Sequence, residues 1–189
     1  VGDPAMRHGR KTKTRPFTGF KRHVIKLVDA DLIVDAVVRP ANEPEHVTLA
    51  RLTPAVTALG MLDELLIDRG YLGSPAIATL HAAGVTIRAK AWTSTNRGRF
   101  PKQAFTLDLA AAQATCPAGQ HAPILPGATA LHFPATACLP CALRTQCTTA
   151  AHGGRSIALH PQEALLQQLR HVQQLPDGRV HLRARTTVE

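Results

Sequence analysis

The sequence predicts an α/β fold, and three observations carry that prediction. Residues 20–29 and 32–38 read as two strands joined at Asp29-Ala30-Asp31, an antiparallel hairpin. Glu64-Leu65-Leu66-Ile67, a helix from Ser74 to Ala83 and a run from Val85 to Ala89 make a strand–helix–strand unit, whose length calls for parallel pairing. Hydrophobic residues make up 44% of the 189 residues but aromatics only 4%, so the core of such a fold is aliphatic.

The elements follow in order. Residues 1–16 are polar, basic and turn-rich and read as an arm or loop. In the first strand Val24, Ile25 and Leu27 stand among charged residues; the second, Leu32 to Val38, is rich in β-branched residues. Pro40 to Pro44 breaks the hairpin. Over 45–59, Val47, Leu49, Leu52, Val56 and Leu59 give a helical apolar face, with a kink expected at Pro54 and a stop at Gly60. The strand ending at Ile67 runs into Asp68-Arg69-Gly70-Tyr71. Ser74 is placed to cap the next helix and Gly84 to end it. Residues 93–103 are again basic and turn-rich. Phe105 to Leu109 reads as a strand, and four cysteines fall between 116 and 147. After Gly153-Gly154, Ser156 to Leu159 reads as a short strand and Pro161 to Gln174 as a helix with Leu165, Leu169 and Val172 on one face. Pro176-Asp177-Gly178 is expected to end it, and Arg179 to Glu189 to begin another. No apolar run reaches the length of a membrane span, and no signal-peptide core follows the basic N-terminus. The expectation is a cytoplasmic chain with no membrane partner.

Lys and Arg number 22 against 13 acids, a formal charge of +9. That excess favours a polyanionic partner. It is concentrated: Arg7, Arg10, Lys11, Lys13, Arg15, Lys21, Arg22 and Lys26 stand in one stretch with no acid among them. Such a stripe can neutralise several phosphates and release their counterions. The plain alternative is a solvated basic arm. Lys90, Trp92 and Lys102 surround the 93–103 loop, where cations beside an aromatic suit distorted or unpaired DNA; a loop packed on a sheet edge is the other reading.

Without a secretory signal the four cysteines do not suggest disulfides. Cys138-x2-Cys141 has the spacing of a zinc-binding pair, and Cys147 and Cys116 can complete a four-thiolate structural Zn2+ site. His121, His132 and His152 are alternative ligands. Reduced, buried cysteines acting as small apolar residues are the competing account.

Asp68 follows a buried strand, and ligands of open α/β sheets gather at the carboxyl ends of strands. Its position alone fits a functional acid and an ordinary turn aspartate equally well. Several segments together are more specific. Gly9-Arg-Lys-Thr-Lys13, Phe17-Thr-Gly-Phe-Lys-Arg-His-Val24, Leu32-Ile-Val-Asp-Ala-Val-Val-Arg-Pro-Ala-Asn42, Ile67-Asp-Arg-Gly-Tyr71, Cys116-Pro-Ala-Gly-Gln120 and Cys138-Leu-Pro-Cys-Ala-Leu-Arg-Thr-Gln-Cys-Thr148 resemble, in order, successive parts of bacterial insertion-sequence transposases of the DDE class. The last two resemble the cysteine-bearing insertion of one subgroup.

The resemblance implies an RNase H-like mixed sheet flanked by helices, lacking its first strand here, with the cysteine-rich insertion before the last helix. It divides the chain into a basic arm (1–16), an RNase H-like core (17–92), a basic loop and insertion (93–155) and a C-terminal helical part (156–189). It implies two Asp and one Glu holding two Mg2+ (or Mn2+) ions, one activating the attacking water or 3′-hydroxyl and the other steadying the leaving oxygen. Asp68 matches the second acid. Arg185-Thr-Thr-Val-Glu189 matches the Arg-x3-Glu of the family's helical signature, with Glu189 as third acid and Arg185 beside it. Leu182 stands where that signature has Tyr, and its Lys would lie beyond residue 189. The first acid is either Asp3 or a residue upstream of this chain. Arg69 and Lys90 join the basic stripe as DNA contacts. The implied partner is double-stranded DNA carrying the element's terminal repeats, bound by a homodimer in a transposition complex on the bacterial nucleoid. A non-enzymatic zinc-containing DNA-binding module and a truncated, inactive remnant are the alternatives.

Overall fold

Three antiparallel strands come first: β1 (Arg7–Thr12), β2 (Arg15–Leu27) and β3 (Leu32–Pro40), in the sheet order β1-β2-β3. They belong to a computed structural model that describes residues 3–183 except 13, 31 and 61. The chain is mixed α/β and divides into two units, Val1–Ala91 with Gln168–Glu189, and Trp92–Gln167.

β1 corrects the sequence expectation that residues 1–16 are arm or loop. Arg-His-Gly-Arg-Lys-Thr carries almost no residue that favours a strand, so propensity gives no signal there. Pairing makes the strand instead: Gly9 lies opposite Phe17 and Arg7 opposite Gly19. Three strands therefore precede the first helix, where the sequence suggested two. Gly9 is buried because the segment after β3 crosses it. A Cβ at Gly9 would stand 2.6 Å from both the Ala41 Cβ and the Ala41 carbonyl oxygen. The Ala41 amide donates to the Gly19 carbonyl at 3.0 Å, which fixes that crossing. Gly9→Ala must displace backbone rather than a flexible side chain. We expect a loss of about 1–3 kcal/mol in urea unfolding; unchanged unfolding would show that Ala41 does not pack there.

The hairpin of β2 and β3 forms as predicted, with His23 opposite Val37 and a bulge between Ile25 and Lys26. Helix α1 (Glu45–Thr57) buries Thr48, Leu49, Leu52 and Val56. Val47 and Leu59, expected on that face, are exposed. Val47 lies about 200° round the helix from Leu49, and Leu59 comes after the helix has ended. Strands β4 (Glu64–Leu66) and β5 (Thr86–Arg88) pair in parallel, with Glu64 opposite Thr86, and helix α2 (Pro75–Ala82) makes the connection. An Arg88–Glu64 ion pair of 2.9 Å ties the two strands, and the Ile67 amide continues the ladder to the Arg88 carbonyl. Ser74 sits at the N-cap of α2, but its side chain makes no capping hydrogen bond.

The second unit has short strands: β6 (Thr106–Asp108), β7 (Gln113–Thr115) and β8 (His121–Pro123) in one antiparallel sheet, and β9 (Ala130–His132) with β10 (Ser156–Ala158) in another. Between β9 and β10 lie the one-turn helices α3 (Ala135–Cys138) and α4 (Arg144–Cys147). Phe105, Ala114, Ala122, Leu131, Phe133 and Ile157 form its core. β7, β8 and β9 are three-residue strands with little period-two patterning, and the sequence did not predict them. Helix α5 (Glu163–Gln174) agrees with the predicted helix to within its first turn. Helix α6 (Pro176–Arg183) starts where the sequence suggested a stop. Proline in a first helical turn has no amide to lose, so Pro176 opens a helix as readily as it closes one.

Candidate functional site

Asp68 stands exposed immediately after β4 and Ile67, at the carboxyl end of a parallel strand. Its carbonyl accepts the Tyr71 amide at 3.0 Å, so Asp68 opens a single 3-10 turn over Arg69–Tyr71. Arg69 is exposed beside it. The Glu45 carboxylate packs against Gly70: a Cβ there would stand 2.9 Å from Glu45 Oε2 and would push that side chain aside.

The turn delivers Tyr71 to His23 on β2. The Tyr71 hydroxyl and His23 Nδ1 are 2.5 Å apart, with the rings edge to face. Lys21, two residues along the same strand face, donates to Glu45 Oε1 at 2.9 Å and to the Glu43 carbonyl at 3.1 Å. Burial, with the negative charges of Glu45 and Asp68, pushes the Tyr71 hydroxyl up to about 12. The phenol is therefore protonated throughout the physiological range. Burial holds His23 below the usual imidazole value, although Glu45 pulls the other way. Burial also raises Glu45, but hydrogen bonds from Lys21 and its own backbone outweigh it and leave the carboxyl low. A protonated phenol and a neutral imidazole pair in either sense: the phenol donates to Nδ1 with the ring hydrogen on Nε2, or Nδ1–H donates to the phenol oxygen. The His23 Nε2 is buried and has no hydrogen-bond partner.

The histidine gives a pH prediction. Its folded-state value is depressed, so the unfolded chain binds the proton more readily. Its contribution to stability is present above about 6.5 and is lost as pH falls from there through the folded value. The urea midpoint should fall over that interval, and His23→Phe should flatten the fall. An equal slope in the variant would assign the effect to other groups.

Asp3 lies in a turn before β1, where its carboxylate accepts the Ala5 amide at 2.8 Å. Glu189 and Arg185 lie outside the described residues, as does Lys13. No group of three or more His, Cys, Asp or Glu among the described residues is arranged to hold a metal ion. Of the basic stripe, Arg10, Lys11, Arg15 and Arg22 are exposed, as is Lys90. Arg10 and Arg22 share a face of the first sheet, since alternate residues of paired strands point the same way. Arg7 is exposed but its guanidinium donates to the Pro4 and Met6 carbonyls. Lys21 is engaged with Glu45, and in the second unit Lys102 is engaged with Glu163 at 2.5 Å, so neither is a simple surface cation.

His23 and Glu45 were missed in the sequence. No local signal marked His23 as inward, since it shares its strand face with Lys21, and its partner lies 48 residues away. In the second unit all four cysteines are free and line one shallow open hollow, which Phe100, Phe133 and Arg155 also line. Burial pushes the Cys147 thiol up; Arg155 pulls it down and the other three cysteines push it further up. His121, His132 and His152 do not line that hollow.

Comparison with protein-family models, with curated proteins and with solved structures returned no match. Among the described residues no helix is long and apolar enough to cross a membrane.

Proposed function

We propose that this chain is catalytic-domain sequence of a DDE-class DNA transposase, acting on double-stranded DNA at the ends of an insertion sequence. The observation that carries the reading is the place of Asp68. It is an exposed carboxylate after the fourth strand, at the carboxyl end of a parallel pair that follows an antiparallel triplet. An RNase H-like transposase core carries its second acid after its fourth strand, and the Ile67-Asp-Arg-Gly-Tyr71 resemblance falls on that position. β1 carries no acid, so the first acid is either Asp3, just before it, or a residue upstream.

In this reading Asp68 and Glu189 are ligands for Mg2+ or Mn2+. A carboxylate held at a strand end and open to water suits magnesium, which takes oxygen ligands and keeps several waters. The bound ions supply activation of the attacking oxygen and charge relief at the leaving one. The chain's own residues position Asp68: β4 fixes its backbone, and the Tyr71–His23 hydrogen bond anchors the turn that it opens. Arg10, Lys11, Arg15, Arg22, Arg69 and Lys90 would lie against DNA phosphates, and a homodimer would bring two element ends together.

A non-enzymatic DNA-binding module is the second reading. It is favoured by one observation, the gathering of four cysteines beside an exposed basic loop while Asp68 lacks a described metal group. Nicking of a duplex carrying the element's terminal repeats, measured with the full chain in Mg2+ or Mn2+, separates the two. Divalent-dependent nicks at the repeat boundary support the transposase. Salt-sensitive binding without any nick supports the module or an inactive remnant.

A further inference from the structure

We propose that Cys116, Cys138, Cys141 and Cys147 form a four-thiolate centre for a thiophilic metal, and that this centre sets the conformation of the basic 93–103 loop.

The backbone presents the four residues from three separate turns. Cys116 opens a tight turn in which the Gly119 amide donates to its carbonyl at 2.8 Å and its own amide donates to the Gln120 carbonyl at 2.9 Å. Gly119 has φ of 77°, which the turn requires. Cys138 ends α3, and Cys141 folds back on it with an amide-to-carbonyl bond of 3.3 Å. Cys147 ends α4. Each is half-buried and lines the hollow; Cys116, Cys138 and Cys147 also pack against the apolar cluster of Phe105 and Phe133, and Cys141 does not.

Arg155 is the second observation. It lines the same hollow, its guanidinium lies 5.7 Å from the Phe105 ring centre, and its Nε is buried with no partner. A cation with a buried, unsatisfied N–H beside four neutral thiols is costly. Four thiolates on one Zn2+, or on an iron–sulfur cluster, carry net negative charge and sulfur acceptors, which Arg155 would offset. Thiolate ligands select such metals over magnesium.

The unit also needs a staple. Its fully buried cluster is six residues, two of them Ala, flanked by partly buried side chains and built on strands three residues long. Small scaffolds of this kind are held by metals or disulfides. As placed, no three of the thiols could hold a single ion. They ring the hollow and would swing inward on a zinc ion, or span the wider body of an iron–sulfur cluster.

The loop is tied to the last of these ligands. Asn96 Nδ2 donates to the Cys147 carbonyl at 3.3 Å, and the Phe100 amide donates to the Gln146 carbonyl at 2.8 Å. Arg155 donates to the Phe100 carbonyl at 3.5 Å. Whatever fixes Cys147 therefore fixes the loop that exposes Arg97.

The test uses the full chain, purified reduced and without oxygen. Elemental analysis and acid-labile sulfide distinguish the two centres: one zinc per chain without sulfide, or iron with matching sulfide. Either supports the proposal if Cys141→Ser loses the metal and Asp68→Ala keeps it. Amide exchange over 96–103 should quicken at least about tenfold in metal-stripped chain, as expected when a local staple is removed. Should Cys141→Ser not fold, Co2+ titration of the stripped wild-type chain serves instead, and thiolate-to-cobalt charge-transfer bands support the centre. A folded chain with no metal and no such bands overturns it. Metal bound while exchange over 96–103 is unchanged overturns the coupling to the loop. None of these readouts depends on DNA nicking, so the transposase reading can fail separately.

Discussion

On the transposase proposal, Asp68→Asn is expected to reduce divalent-dependent nicking at the element ends by about a thousandfold or more, while binding of the same DNA changes little. Removal of one ligand oxygen charge withdraws several kcal/mol of transition-state stabilisation, and each 1.4 kcal/mol is about a tenfold rate effect. The substitution is nearly isosteric and the side chain is exposed, so the fold should survive. Single-turnover nicking and a salt series of binding affinities read the two effects apart. A variant that nicks as fast as the parent removes Asp68 from the chemistry. A loss of binding as large as the loss of nicking would make Asp68 a structural residue of its turn.

The second large effect is in the other unit. Glu163 accepts Lys102 Nζ at 2.5 Å and the His160 amide at 3.0 Å, with the two ionic side chains only 16% and 6% exposed. Lys102 also donates to the Ala158 carbonyl at 2.6 Å. Truncation of either partner leaves a buried charge without its counterpart. Glu163→Ala should destabilise the unit by about 3–5 kcal/mol. Replacing both with apolar residues, Lys102→Met with Glu163→Leu, should recover much of that loss, because the desolvation cost of both ions disappears together. Urea unfolding followed by amide exchange within 105–159 measures it. A single-variant loss under about 1 kcal/mol would mean that water reaches the pair.

The hairpin and the parallel strand–helix–strand unit were legible because their signals are local: β-branched runs, the Asp29-Ala30-Asp31 turn, and a helix between Ser74 and Gly84. β1 was not legible, since its residues become a strand only by pairing with β2 and closing on Ala41. Asp68 could be placed at a strand end from sequence, but its surroundings could not. Glu45 comes from α1, His23 from β2 and Tyr71 from the next turn, and no sequence spacing links them. The Cys138-x2-Cys141 pair was visible as spacing. Arg155, whose buried and unpartnered Nε faces that hollow, gave no signal at all.

β3 closes one side of the first sheet and carries Leu32, Ile33 and Val38 at 57%, 62% and 59% exposure. An edge strand with exposed aliphatics invites pairing with another chain. Pro40 at its end and the charged Asp35 and Arg39 within it act against that, but they leave Leu32-Ile33 unguarded. Preparations of this chain should therefore lose material to precipitation as concentration rises, and Ile33→Lys should raise the soluble yield without altering the Asp68 turn.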